Sequence, residues 1–159
     1  MPTNIDWPLD SNVIRRGLEN HTFGMVRNGG TRAHQGWDFY AEPGTPCFAI
    51  ADGTIAMIYE SEAYGLVVVC SFQHDGRTLY AAYCHLSKAE VKQGIVVRKG
   101  QRIGLTGNSG NAVSMRGLDQ HLHFEIREIP RPGKGLDGRK SPMEVFAHCP
   151  LKAPVRRAG

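Results

Sequence analysis

Seven histidines are spread through this 159-residue chain, and four of them stand in company that could do chemistry. The first group is His34-Gln35-Gly36-Trp37-Asp38. On a helix His34 and Asp38 would share a face, but Gly36 between them, with Gly29-Gly30 and Pro43-Gly44 around them, argues against a helix. On a bent loop or strand they can still converge on one ion, offering a neutral nitrogen and an anionic oxygen, a pair that suits zinc. Alone, they read equally well as two surface polar residues. The second group is His121-Leu122-His123-Phe124-Glu125. Strand alternation sends His121, His123 and Glu125 to one face and Leu122, Phe124 and Ile126 to the other. The apolar face meets a core. The polar face presents two adjacent imidazoles: two ligands, a ligand and an acid–base group, or simply the wet side of a sheet. His85 ends the β-rich run 78–85, where a lone histidine is usually structural. His74 falls in a hairpin turn, and His148 beside Cys149 earns no role.

These residues need elements to position them. Nineteen glycines and nine prolines lie between short apolar runs, the pattern of many short strands joined by turns. Strands are predicted at 46–50 and 54–59 around Asp52-Gly53, at 65–72 and 78–85 as a hairpin across Asp75-Gly76, at 95–97 and 103–106, and at 121–129. Residues 107–120 read as a Gly/Asn/Ser-rich loop and 130–138 as a basic Pro/Gly-rich one. A short turn or helix is expected at 142–146, and helix content is low. The chain has the length of a single domain, with 41% apolar and 21% charged residues, ordinary for a globular fold. Residues 1–30 look irregular, with a short turn of helix expected within 9–18, and 149–159 read as a flexible tail.

Composition also sets bounds on function. The longest apolar runs, 65–70 and 79–84, are strand length, so no integral membrane segment is expected. Residues 1–17 lack the basic region and apolar core of a secretory signal. A trimmed signal, another export route and work inside the cell all fit that. The net charge of +4 comes with no nucleic-acid motif, so a solvated basic surface is expected and no nucleic-acid partner. Cys47, Cys70, Cys84 and Cys149 form no CxxC pair; buried thiols are expected, with one disulfide as the alternative.

Taken in order, these blocks resemble the lysostaphin/LytM-type zinc endopeptidases, which cleave peptide cross-links of peptidoglycan. The resemblance covers residues 20–146. It runs from Phe23-Gly24 and Arg27 through His34-x-Gly36-x-Asp38-Phe39, Gly44-Thr45-Pro46 and Ala49-x-Ala51-Asp52-Gly53. It continues with Tyr83-x-His85-Leu86-Ser87, Gly94, Gly100, Gly107-Asn108-Ser109-Gly110 and His121-Leu122-His123-Phe124-Glu125. It implies a mostly β fold, an antiparallel-sheet domain with a central groove (the LytM-like duplicated hybrid motif), and a catalytic domain over 20–148. It implies one zinc ion per chain held by His34, Asp38 and His123, with His85 and His121 as unliganded histidines beside the attacking water, His121 the base and His85 the oxyanion stabiliser. Glu125 could orient a ligand imidazole from behind. Tyr83, Trp37, His21 and Asn108 are candidates to touch substrate.

The implied activity is metal-dependent endopeptidase cleavage of the bacterial cell wall. A peptidoglycan amidase, or a non-catalytic cell-wall binding or regulatory module, is the alternative. The expected setting is periplasmic or secreted, as a monomer acting on peptidoglycan peptides. A delivered antibacterial toxin would bring a cognate inhibitor or immunity protein as partner; self-remodelling and phage lysis are the other settings. The connector from Gly110 to His121 and the loop 130–140 are longer than the family pattern, and both flank the His121–His123 strand.

Overall fold

The computed structural model describes residues 5–158. Among the described residues the turn signals and apolar alternation produce thirteen strands, and the helical turns are all short 3-10 turns. In chain order the strands are β1 Ser11–Asn12, β2 Gly24–Arg27, β3 Arg32–His34, β4 Trp37–Tyr40, β5 Pro46–Phe48, β6 Gly53–Ser61, β7 Gly65–His74, β8 Arg77–Ala89, β9 Val96–Val97, β10 Arg102–Thr106, β11 His121–Arg127, β12 Arg139–Lys140 and β13 Val155–Arg156. The main sheet is antiparallel, with spatial order β12-β11-β8-β7-β6-β9. β4 pairs with β11, and β10 pairs with both β5 and β8.

Mostly β architecture with turns at the expected places follows from the sequence. The predicted hairpin is β7–β8, and 142–146 contains a 3-10 turn at Pro142–Glu144. The core lies on one face of the main sheet. There Phe124 meets Tyr83, Phe39 and Phe146 at ring separations of 5.3, 6.0 and 6.0 Å. The opposite face carries a smaller cluster around Val67, Val69, Ala82 and Cys84. All four cysteines are free thiols.

β8 holds the feature that matters most for the site. Cys84 is the cross-strand partner of His123, so it shares the face of that histidine. In a regular strand His85 would then point to the core. Instead His85 takes φ 61, and the pairing registers shift on either side of it. Such a bulge re-aims a side chain at the cost of local strain, and it brings Cys84 and His85 to the same side of the sheet.

Among the described residues, the first and last stretches are tied to the body. β13 pairs with β1, and the Arg157 guanidinium lies 3.7 Å over the Phe48 ring centre and bonds Asp10. These contacts hold residues 155–157 against the body. The N-terminal stretch is held by bonds such as Phe48 N–H to Pro8 O and by the Ile14–Phe39 bridge, then runs to the groove as the turns Arg15–Gly17 and Glu19–His21.

Candidate metal centre

Three strands converge to build the site. β3 ends on His34, the Gln35-Gly36 link crosses to β4, and Asp38 stands directly opposite His123 on β11. The crossing is tight enough that any side chain at Gly36 would overlap the Phe124 carbonyl oxygen. His34 Nε2 lies 3.2 Å and His123 Nδ1 2.8 Å from Asp38 Oδ1, and one ligand atom from each of the three falls within 4.8 Å of the others. All three residues are buried.

The donor set fits a metal ion. His34 Nδ1–H donates to Thr22 O at 2.8 Å, which leaves the Nε2 lone pair facing inward. His123 Nε2–H donates to Glu125 Oε2 at 2.7 Å, leaving Nδ1 inward. Asp38 Oδ2 is turned outward, against Arg15 (3.4 Å), Arg27 (3.3 Å) and His21 (3.4 Å). Two nitrogens and one carboxylate oxygen are thus presented to a single point, the three-ligand arrangement of a catalytic zinc site.

Electrostatics agree with this. Burial opposes the charge on Asp38, yet hydrogen bonds from His123, His21 and His34 hold its carboxyl well below the usual range. Burial likewise opposes charge on His123, but Asp38 and Glu125 on either side of the ring raise it to about 9. Without metal a proton occupies Nδ1; a metal ion binding there must displace it.

A second trio, Cys84, His123 and Glu125, is also close enough to share an ion. Glu125, however, already accepts from Arg127 Nε (2.8 Å) and Arg139 Nε (2.6 Å), and burial pushes the Cys84 thiol far up. A cation there would face two guanidiniums, and Glu125 serves His123 from behind instead.

Two further histidines face the same space. His85 Nδ1–H donates to Ser109 O and His121 Nδ1–H to Asp119 O, both at 2.8 Å, so each points a bare Nε2 inward. Their rings lie 5.1 Å apart, and His121 Nε2 is 3.7 Å from Asp38 Oδ1. Burial lowers both pKa values; for His85 burial, then His123 and His121, bring it down to about 3. Both are neutral proton acceptors at physiological pH. The space they face is a cavity of about 280 Å³ that also touches Arg15, Arg27, Tyr64, Asn111 and Met115.

The substrate candidates divide. His21 is at the site, against Asp38. Trp37 is not: it is 1% exposed and packs on Phe39 and Phe146, because alternation along β4 that aims Asp38 at the metal aims Trp37 at the core. Tyr83 is fully buried, donating its hydroxyl to Phe48 O and accepting from Ile50 N–H. The His85 bulge breaks the alternation that would have put the two on one face. Asn108 lies beside the cavity rather than on it; its neighbour Ser109 supplies the carbonyl that orients His85.

Other residues at the site carry no sequence signal. Tyr64 stacks on the His123 ring at 5.4 Å and 10°, and its hydroxyl donates to Gln35 Oε1. Arg15 comes from the N-terminal stretch and reaches both Asp38 and Asp119. Neither belongs to a periodic pattern or a motif, and only the fold brings them here.

Comparison with known proteins agrees with this geometry. The family model described as Peptidase family M23 matches residues 32–138. The chain is 37% identical over 151 residues to the peptidoglycan DD-endopeptidase ShyA of Vibrio cholerae, covering 95% of this chain and 31% of that protein. It is 34% identical over 114 residues to the glycyl-glycine endopeptidase ALE-1 of Staphylococcus capitis, covering 72% and 29%. The crystallised catalytic domain of lysostaphin from Staphylococcus simulans superposes with a TM-score of 0.57 at 32% identity, over 77% of this chain and 84% of that one. The chain thus spans less than a third of each of these two curated relatives.

Proposed function

The chain belongs to peptidase family M23, and from that membership and its His/Asp/His cluster we propose that it is a zinc-dependent endopeptidase acting on peptidoglycan peptide cross-links. The observation that carries the reading is the convergence of His34 Nε2, Asp38 Oδ1 and His123 Nδ1 beside two neutral histidines in one cavity. One zinc ion per chain, held by those three atoms, would supply a Lewis acid that polarises the scissile carbonyl and acidifies water.

The rest falls to the protein's own residues. His121, nearer to Asp38, takes the proton of the attacking water on Nε2, and His85 is its partner across the cavity. Because Nδ1–H of each is committed to a backbone carbonyl, Nε2 can donate only after it has gained a proton. Proton uptake therefore precedes donation to the oxyanion or the leaving amine. Glu125 fixes the His123 tautomer through Nε2. Arg15, Arg27 and His21 hold Asp38 Oδ2 so that Oδ1 faces inward.

The catalytic unit is assigned to residues 20–148, acting as a monomer outside the cytoplasm, where the proposed substrate lies. Among the described residues no helix is long and apolar enough to cross a membrane. Of the settings open to such an enzyme, a toxin delivered into rival cells would need a cognate inhibitor.

The test is mass spectrometry of purified peptidoglycan digested by the zinc-loaded protein, with His123→Ala and His121→Ala as controls. New stem-peptide ends formed only by the intact enzyme are expected. Glycan separated from peptide would make it an amidase, and an unchanged digest by zinc-loaded protein would leave a binding module.

A further inference from the structure

A second space of about 630 Å³ adjoins the metal cavity, sharing Arg32, Ala33, Gln35, Tyr64 and Asn111 as lining residues. The far wall is the loop between β11 and β12, one of the two segments that exceed the family pattern. Arg32, Arg131 and Lys134 line this annexe, and no aspartate or glutamate does. Alternation along β6 turns Tyr59 and Ser61 towards it and leaves Glu60 off its wall. Among the described residues none of the three cations has an ion-pair partner.

The wall is also preformed. Arg139, buried against Glu125, donates to Gly135 O at 2.9 Å; Gln35 Nε2 donates to the same carbonyl at 3.1 Å; and Arg127 donates to Pro130 O at 2.9 Å. The Arg131 guanidinium rests 3.9 Å above the Tyr59 ring centre, held in place with its charge uncompensated. A positive wall that no carboxylate lines, with one guanidinium already held over a ring, is suited to an anion. Because it adjoins the metal cavity, it lies within reach of a substrate held there.

We propose that this annexe is a subsite for a carboxylate-bearing arm of the cross-linked peptide, with Arg131 and Lys134 supplying the charge that selects acidic cross-links over neutral ones. The proposal rests on reading the metal centre as a peptide-bond hydrolase. It distinguishes between substrate classes that the relatives' names leave open, since one is a DD-endopeptidase and another a glycyl-glycine endopeptidase.

The test uses two synthetic cross-linked peptides of one sequence, with side carboxylates either free or as carboxamides. Hydrolysis is followed with the zinc-loaded protein and with an Arg131→Gln/Lys134→Gln variant, and binding is measured by calorimetry on zinc-loaded His121→Ala. Both altered cations are exposed, and thermal melting confirms that the variant folds. The free-acid peptide is expected to show a KM and Kd roughly tenfold lower, a preference lost in the variant and in about 0.5 M salt. Equal hydrolysis of the two peptides by the unaltered protein, or a preference that survives in the variant, overturns the subsite alone. Preferential binding without hydrolysis of either peptide overturns the hydrolase reading and leaves the anion subsite standing. No binding of either overturns both.

Discussion

At Asp38 the two oxygens do different work, and the difference is set by what touches them. Oδ1 meets His34 and His123, while Oδ2 is occupied by Arg15, Arg27 and His21. His123 is polarised in a similar way, with Asp38 on Nδ1 and Glu125 on Nε2. Glu125 is in turn saturated by Arg127 and Arg139, so its charge is balanced within the protein interior. Replacing it with glutamine keeps the shape and removes the charge that fixes the imidazole. Glu125→Gln should weaken zinc binding by about 10- to 100-fold, read by competition with a chromogenic chelator. It should also lower the melting temperature, because two buried guanidiniums lose their counter-ion. Unchanged zinc affinity in a folded Glu125→Gln protein would show that the contact does not orient the ligand.

At the scale of elements, the site depends on two places where strand geometry is broken. One is the bulge at His85, which puts consecutive residues on one face. The other is the Gln35-Gly36 link, where β3 hands over to β4 across β11 with no room for a Cβ. Gly36→Ala should therefore push β4 away from β11 and separate His34 from His123. The expected cost is about 1–3 kcal/mol in urea unfolding, accompanied by loss of zinc binding. A variant with the parental midpoint and full zinc affinity would mean that the crossing relaxes freely.

At the scale of the whole molecule, burial of so many titratable groups makes stability depend on pH in a way that zinc should alter. Buried His34, His85 and His121 have folded pKa values below their ordinary 6.5. Their contribution is complete above 6.5 and is lost as pH falls below it, since the unfolded chain then binds the extra protons. Asp38 and Glu125, also depressed, add a further loss once pH drops through the carboxylate range. His123 has the opposite sign. Raised to about 9, it contributes stability that is complete below 6.5 and lost as pH rises through 9. The metal-free protein should be most stable near pH 6.5. Zinc replaces the proton on His123, so it should raise the melting temperature more at pH 9 than at pH 6, as melting scans with zinc and with chelator would show. An equal zinc effect at both values would remove His123 as the exchanging group.

The sequence by itself determined the strand periodicity and most of the turns, while the membership of the metal cluster came from the ordered motifs it shares with a known family. The first two are local properties: His121, His123 and Glu125 share a face because a strand alternates, and Gly36 excludes the helix that would have arranged His34 and Asp38 differently. The same local rule misplaced Tyr83, because a bulge is a property of how β8 pairs with β7, β10 and β11. Trp37, expected to touch substrate, lies in the core instead, since only the β4–β11 pairing shows which face of β4 is core. Only the tertiary structure brought Arg15 to Asp38, 23 residues away in sequence, and laid Tyr64 on His123. It was also the tertiary structure that aligned the unpaired cations of the 130–135 loop with the metal cavity. Contacts between distant segments depend on packing and register, and no spacing within either segment encodes them.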